Sequence, residues 1–454
     1  MRIFILLYLL GCSFMATSQL RVSENQRYLV DADGNPFFWL GDTAWELFHR
    51  LDREDAEVYL KNRADKGFNV VQAVVLAELD GLNTPNAYRN KPLFNNDPTQ
   101  LNEAYFQHVD YIIDKAASLG IYIGLLPTWG DKVFKEKWGK GPEIFNTSNA
   151  KVFGRLLGAR YKERKNIIWI LGGDRNPRPD TEDVEIWRAM AAGVVEGVGA
   201  QDKALMTFHP QPTDVQDGGS AKWFHQDSWL DFNMFQTGHC RENNVWERIQ
   251  VTYNKLPVKP VLDGETIYED HPVCFNVKDL GTSSAYDVRK HAYLSVFAGA
   301  FGHTYGCHDI WQMYAPNHEP INGPHLYWYD ALDLQGASQM QYLKQLMTSR
   351  SMLERVPDQS IITDPLYEHN RIQATRGTDY LFVYSSQGKP FTMNMKKISG
   401  KLLQAAWYNP RNGETTDAGT VENKGKKLFT PPSTGYGQDW VLILDDASKT
   451  RQID

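Results

Sequence analysis

Between about residues 30 and 346, short apolar runs of strand character alternate with stretches of helical period, and this alternation limits the fold more than any other feature. Repeated strand–helix units build a parallel sheet covered by helices. Eight runs can be read, at residues 37–40, 69–75, 121–127, 167–171, 204–208, 232–235, 261–263 and 300–305. The stretches 53–66, 103–119, 149–161 and 184–195 carry the helical pattern between them. The first two stop at Gly67 and Gly120, residues suited to a helix C-terminus. In the second, Phe106, Val109, Ile113, Ala116 and Ala117 share a face. Eight such units favour a closed (β/α)8 TIM barrel over an open doubly wound sheet, and no glycine-rich phosphate loop follows the first run.

After about residue 356 the pattern changes to short β-rich segments at 371–376, 380–385, 402–408 and 440–444, separated by turn clusters such as Asn409-Pro410-Arg411-Asn412-Gly413. This spacing predicts a small all-β sandwich. The expected division is a signal peptide at 1–18, the barrel at 19–355 and the β-sandwich at 356–454.

The first residues read as an export signal. Arg2 precedes a mainly apolar run, and the small residues Ala16-Thr17-Ser18 supply a cleavage site. The alternative is a lipoprotein signal, because Leu9-Leu10-Gly11 leads directly into Cys12. Both routes export the chain, to the periplasm or cell surface, and no later stretch is long and apolar enough for a membrane span. Cys240, Cys274 and Cys307 remain, an odd number that allows one bridge plus a free thiol, or three reduced thiols. A formal charge of −7 and the lack of a basic stripe argue against nucleic acid as partner.

In a barrel of this kind the chemistry sits where strands end and βα loops begin. Asp174 follows the fourth run and two glycines, and Glu265 closes the seventh. At ~30 residues per βα unit, three units separate them, so they should face each other across the barrel mouth. Two opposed carboxyls are what glycoside hydrolysis requires: one protonates the leaving oxygen, the other attacks or activates water at the anomeric carbon. Each alone has a structural reading, Asp174 as a cap or turn residue and Glu265 as an ion-pair partner.

Around the same face the sequence places Asp42 and Trp45 after the first run, Trp129 after the third, and Arg175 and Asn176 beside Asp174. His209 follows the fifth run, Gln236 and His239 the sixth, and His303 and Trp311 belong to the eighth. Indole faces can stack on sugar rings, and the polar groups can hold hydroxyls; with 13 Trp the chain is well supplied. Glu78 and Asp263 are weaker acid candidates. His239-Cys240, Cys274 and Cys307-His308 lie near loop mouths, but no C-x2-C pair or H-E-x-x-H helix is present, so neither a metal nor another cofactor is expected. No G-x-S-x-G elbow supports a serine nucleophile.

The strand-four and strand-seven acids resemble those of the large retaining barrel clan, which makes Asp174 the acid/base and Glu265 the nucleophile. More specifically, Gly41-Asp42-Thr43-Ala44-Trp45-Glu46-Leu47, the block from Trp169 to Pro177 containing Gly172-Gly173-Asp174-Arg175-Asn176, and Asp263-Gly264-Glu265 resemble the apiosidase-like glycoside hydrolases (family 140). The segment from Ala406 to Glu414 is similar to the β-domain that follows the barrel there, a domain labelled collagen-binding-like in related chains. The resemblance implies an exported bacterial enzyme acting on a plant cell-wall oligosaccharide or polysaccharide, releasing apiose-linked side chains from the pectin rhamnogalacturonan II. The alternatives are a retaining hydrolase for another plant linkage, such as an arabinofuranoside or a β-glycan, and a non-catalytic glycan-binding protein.

Overall fold

The computed structural model describes residues 18–449. The expected signal peptide, up to residue 17 and including Cys12, lies outside the described residues. After a small antiparallel sheet within residues 21–37, eight parallel strands form the barrel: β1 (Trp39–Thr43), β2 (Val70–Leu76), β3 (Tyr122–Thr128), β4 (Ile167–Gly172), β5 (Met206–His209), β6 (Asn233–Gln236), β7 (Val261–Glu265) and β8 (Gly302–Tyr305). Six are hydrogen-bonded in the order β8-β1-β2-β3-β4-β5, and β6 pairs with β7. At the two remaining seams, Asp231 N–H donates to Met206 O at 2.9 Å and Phe301 N–H to Val261 O at 3.1 Å, which closes the ring. The result is a TIM-like barrel.

The helices around it include α1 (Arg53–Asp65), α2 (Glu103–Ser118), α3 (Thr147–Tyr161), α4 (Asp183–Val198), α5 (Val245–Tyr253), α6 (Ala285–Phe297) and α7 (Gln335–Thr348). Their starts obey local capping chemistry. Asp52 accepts from Asp55 N–H ahead of α1, and Asn146 and Asn149 form a reciprocal capping box ahead of α3. The strands are buried on both faces, as a sheet packed between barrel interior and helix layer must be. At the N-terminal end of the barrel, the rings of Trp39, Phe232 and Phe301 meet edge-on at 5.3–6.3 Å between centroids. They fill the end opposite the loops that carry function. Among the described residues no helix is long and apolar enough to cross a membrane.

From Val356 the chain is antiparallel β: β9 (Val356–Pro357), β10 (Ile372–Arg376), β11 (Tyr380–Ser385), β12 (Phe391–Asn394), β13 (Leu402–Tyr408), β14 (Thr415–Glu422), β15 (Lys426–Phe429) and β16 (Trp440–Asp446). Six strands order as β9-β10-β11-β16-β13-β14, with the pair β12–β15 against them. Period-two alternation assigns the faces of β11. Leu381 and Val383 enter the small domain's own core, whereas Tyr380, Phe382 and Tyr384 belong to the barrel's core. Tyr384 stacks on Tyr293 of α6 with centroids 5.0 Å apart.

Charge fastens the same interface. Arg289 of α6 makes two bonds to Asp439, of 2.8 and 2.6 Å, with both side chains almost fully buried. Arg350 does the same with Asp445 at 2.9 and 2.8 Å. Removing one member of a buried pair strands the other charge, at a cost of roughly 3–5 kcal/mol. Because Arg411 at 3.4 Å and the Tyr384 hydroxyl at 3.1 Å still reach Asp439, Arg289→Met should lower stability to urea by at most about that amount, and Arg289→Met with Asp439→Leu should recover part of it. Equal stability of Arg289→Met and wild type would show that the pair contributes nothing.

Candidate active site

Asp174 owes its position to an abrupt turn. At the end of β4 the backbone takes positive φ three times running, at Gly172 (90°), Gly173 (119°) and Asp174 (48°). A Cβ at Gly172 would lie 2.3 Å from His209 O, and one at Gly173 2.6 Å from the Trp129 ring, so neither site admits a side chain. Aspartate tolerates the left-handed region better than most residues. Gly173 N–H donates to His209 O at 2.9 Å, and Gly173 O accepts Gly130 N–H at 3.0 Å, which pins the turn to its neighbours on both sides.

Glu265 is aimed by a different irregularity. Between Asp263 and Glu265 the register with β6 slips, a bulge that re-aims the last side chain of β7. The bulge carbonyl of Gly264 accepts Gln72 Nε2–H at 2.8 Å, and Met234 packs where a Cβ would stand.

The two carboxyls line one cavity and are tuned in opposite directions. Burial and then the charge of Glu265 raise Asp174 to about 6, against the opposing pull of Arg175 and His209. Arg175, itself buried, donates from Nη1 to Asp174 Oδ2 at 3.1 Å. Burial works against ionised Glu265 too, but hydrogen bonding and electrostatic attraction from the His209 and His239 rings outweigh it and hold this carboxyl well below the usual range. His209 Nε2 lies 3.1 Å from Glu265 Oε2, and His239 Nε2 lies 3.5 Å from Oε1. Because His209 Nδ1 accepts the backbone N–H of Asp174 at 3.4 Å, its proton sits on Nε2, facing Glu265.

The cavity measures about 600 Å³ and also takes in Trp45, Trp129, Gln236, His239 and Trp311. Trp45 and Trp129 stand 5.1 Å apart, and Trp45 N–H donates to Tyr268 OH at 3.1 Å. Arg175, His209 and Asn176 stand one layer back. The Asn176 backbone N–H donates to Gln211 Oε1 at 3.3 Å, which ties the Asp174 loop to the next one.

Asp42 and His303, expected to face a ligand, do not reach the cavity. β1 runs on to Thr43, so Asp42 is inside the strand, fully buried and bonded to Arg63 Nε at 2.5 Å and Tyr59 OH at 2.6 Å of α1. His303 is buried in β8 near His291 of α6, and burial holds its ring down at about 3. Asp263 is also enclosed, accepting Thr237 OH at 2.8 Å.

Several lining residues were not singled out from sequence: Tyr268, His271, Phe275, Trp138, Lys140 and Gln211. Only Tyr268, three positions after Glu265, carried a usable signal. Burial and the charge of Glu265 push its hydroxyl up, so it stays protonated and can donate. Glu78 also lines the cavity, and burial with the charge of Asp174 raises its carboxyl well above the usual value. Of the three cysteines, Cys240 and Cys274 form a disulfide and Cys307 is a buried free thiol. The bridge joins the loops after β6 and β7, next to His239. Among the described residues no cluster of His, Cys, Asp or Glu is arranged to hold a metal ion.

Residues 23–354 match the model of the "Apiosidase-like, catalytic domain". The chain belongs to the apiosidase-like family. Residues 356–445 match the model described as "Putative collagen-binding domain of a collagenase". The apiosidase-like chain is 39% identical to a glycoside hydrolase family 5 protein from Bacteroides vulgatus, with a TM-score of 0.86 over 95% of this chain and 94% of that one. A second structure, described as a glycoside hydrolase, is also 39% identical, with a TM-score of 0.86 over 95% and 98% of the two chains. A β-L-arabinopyranosidase of Geobacillus stearothermophilus shares the fold at 11% identity, with a TM-score of 0.52 over 90% and 97%. No curated protein matches the chain. The apiosidase-like chain is thus a glycoside hydrolase. Since the charge of Glu265 helps to raise Asp174, Glu265→Gln should lower Asp174 from about 6 toward the ordinary ~3.9. Titration of carbon-13-labelled aspartate by NMR reads this directly, and an unmoved value would mean that the two groups do not interact.

Proposed function

We propose that the protein is an exported hydrolase that removes apiose-linked side chains from rhamnogalacturonan II, with Asp174 as acid/base and Glu265 as nucleophile. The observation that carries the catalytic assignment is the opposed tuning of two carboxyls in one cavity: Asp174 holds a proton up to about pH 6, while Glu265 is ionised far below that. In the first step Glu265 attacks the anomeric carbon as Asp174 gives its proton to the leaving oxygen, and a glycosyl-enzyme ester forms. Asp174, now ionised, takes a proton from water, whose oxygen displaces Glu265 and frees the sugar.

Family membership favours apiose and pectin as substrate. Export is favoured by the N-terminal sequence and by the Cys240–Cys274 disulfide, since such bonds persist in oxidising compartments. The Trp45 and Trp129 pair, almost wholly buried, gives the cavity wall an apolar patch against which a sugar could pack.

Wild type and Glu265→Gln are incubated with rhamnogalacturonan II and a panel of plant oligosaccharides, and released sugars are analysed. Apiose-linked products from wild type alone are the expected result. Release from another glycan keeps the carboxylate chemistry and discards apiose, whereas turnover by Glu265→Gln removes the nucleophile assignment.

The pH dependence follows from the same two groups. Asp174 must be protonated, so kcat/KM should fall as pH rises through about 6. Glu265 must be ionised, so the acid limb should lie below the ordinary carboxylate range. An alkaline limb several pH units higher would exclude Asp174 as the acid.

A further inference from the structure

We propose that Trp138 is the stacking platform for the sugar on the leaving side of the scissile bond, so that glycan is gripped beyond the residue released. The proposal rests on the reading of Asp174 as the acid. Trp138 is 52% exposed although its indole is among the largest apolar groups in the chain, and it lines the same cavity as Asp174 and Glu265. Exposed indole surface gains most from a partner with an apolar face, and the C–H face of a sugar ring is such a partner.

The ring is held in place before any ligand arrives. It belongs to the loop between β3 and α3, where the buried carboxylate of Asp131 accepts Lys140 N–H at 3.1 Å and Gly141 N–H at 2.8 Å. Lys132 Nζ, also buried, neutralises that carboxylate at 2.6 Å. Those bonds close the chain around residue 138. Gly139 packs so tightly that a Cβ there would strike Lys135 O and come 3.0 Å from Arg175 Nη2.

The platform is also registered to the acid. The Arg175 guanidinium carbon lies 4.9 Å from the Trp138 ring centroid, and the same guanidinium bonds Asp174 Oδ2 at 3.1 Å. Asp174 protonates the oxygen that departs with the leaving sugar, so the sugar carrying that oxygen lies on the acid's side, where Trp138 stands. Gln211 and Lys140 line the cavity alongside and can meet its hydroxyls. A cavity of about 600 Å³ has room for more than one sugar ring, being mid-range for sites of ~300–1,000 Å³ that enclose drug-sized ligands.

The test compares wild type, Trp138→Ala and Trp138→Phe on each panel glycan that wild type cleaves and on the methyl glycoside of the sugar released. Trp138→Ala should raise KM for the glycan by roughly three- to tenfold. Its effect on the methyl glycoside should be smaller, the alkaline limb should stay in place, and Trp138→Phe should recover part of the loss. Equal losses on both substrates, or a displaced alkaline limb, would mean that Trp138 acts only by covering Arg175, and the proposal falls. No change on either substrate also overturns it. If wild type cleaves nothing in the panel, the proposed function fails, and calorimetric binding of rhamnogalacturonan II decides separately. Weaker binding by Trp138→Ala than by wild type then supports the platform, and equal binding by the two proteins overturns it.

Discussion

Setting two carboxyls into one cavity, Glu265 almost fully buried and Asp174 only about 21% exposed, costs both hydration, and each makes the other's ionisation harder. Left alone, such a pair would drift toward sharing a proton. His209 breaks the symmetry. Its Nδ1 takes the backbone N–H of Asp174, which leaves the proton-bearing Nε2 to face Glu265 3.1 Å away. One imidazole therefore fixes the turn that carries one acid and stabilises the charge on the other. His239 adds to the second effect, and Arg175 holds Asp174 in place. The glycines after β4, the bulge in β7 and the disulfide beside His239 all keep this set of charges in register.

Much of the barrel could be read in advance because its signal is local and repeated. A strand buried on both faces reads as an apolar run, and its helix as an amphipathic stretch, whatever the rest of the chain does. The ends of β4 and β7 could be read for the same reason, and the residues there, Asp174 and Glu265, line one cavity. Errors arose where one or two residues of strand length mattered. By sequence Asp42 falls beyond β1, but the strand continues through it, and alternation turns its carboxylate toward Arg63 in the helix layer. His303 is a different case: it lies inside both the apolar run and β8, and a residue inside a strand faces barrel or helices according to register, which a single sequence does not state.

The walls of the cavity were less legible because long loops supply them. Trp138, Lys140, Gln211, His271 and Phe275 reach the cavity only through the paths of their loops. Those paths depend on distant partners, such as Asp131 folding one loop and Cys274 anchoring another. The pairing of Cys240 with Cys274 was likewise open among three cysteines. Glycine, proline and polar runs announce that a loop exists, but not where its tip goes.

The face that β11 turns to the barrel has a bearing on descent. Its tyrosines and phenylalanine complete a core begun by α6, and Asp439 and Asp445 answer arginines on the other side of the boundary. Two segments that match separate family models are thus complementary halves of one seam. A recombination event that joined this barrel to a different tail would leave an aromatic surface in water and buried guanidinium groups without counter-ions. Lineages that shuffle such genes should therefore exchange the pair whole, and the tail's sequence should drift in step with α6 and α7 rather than with sandwich domains elsewhere.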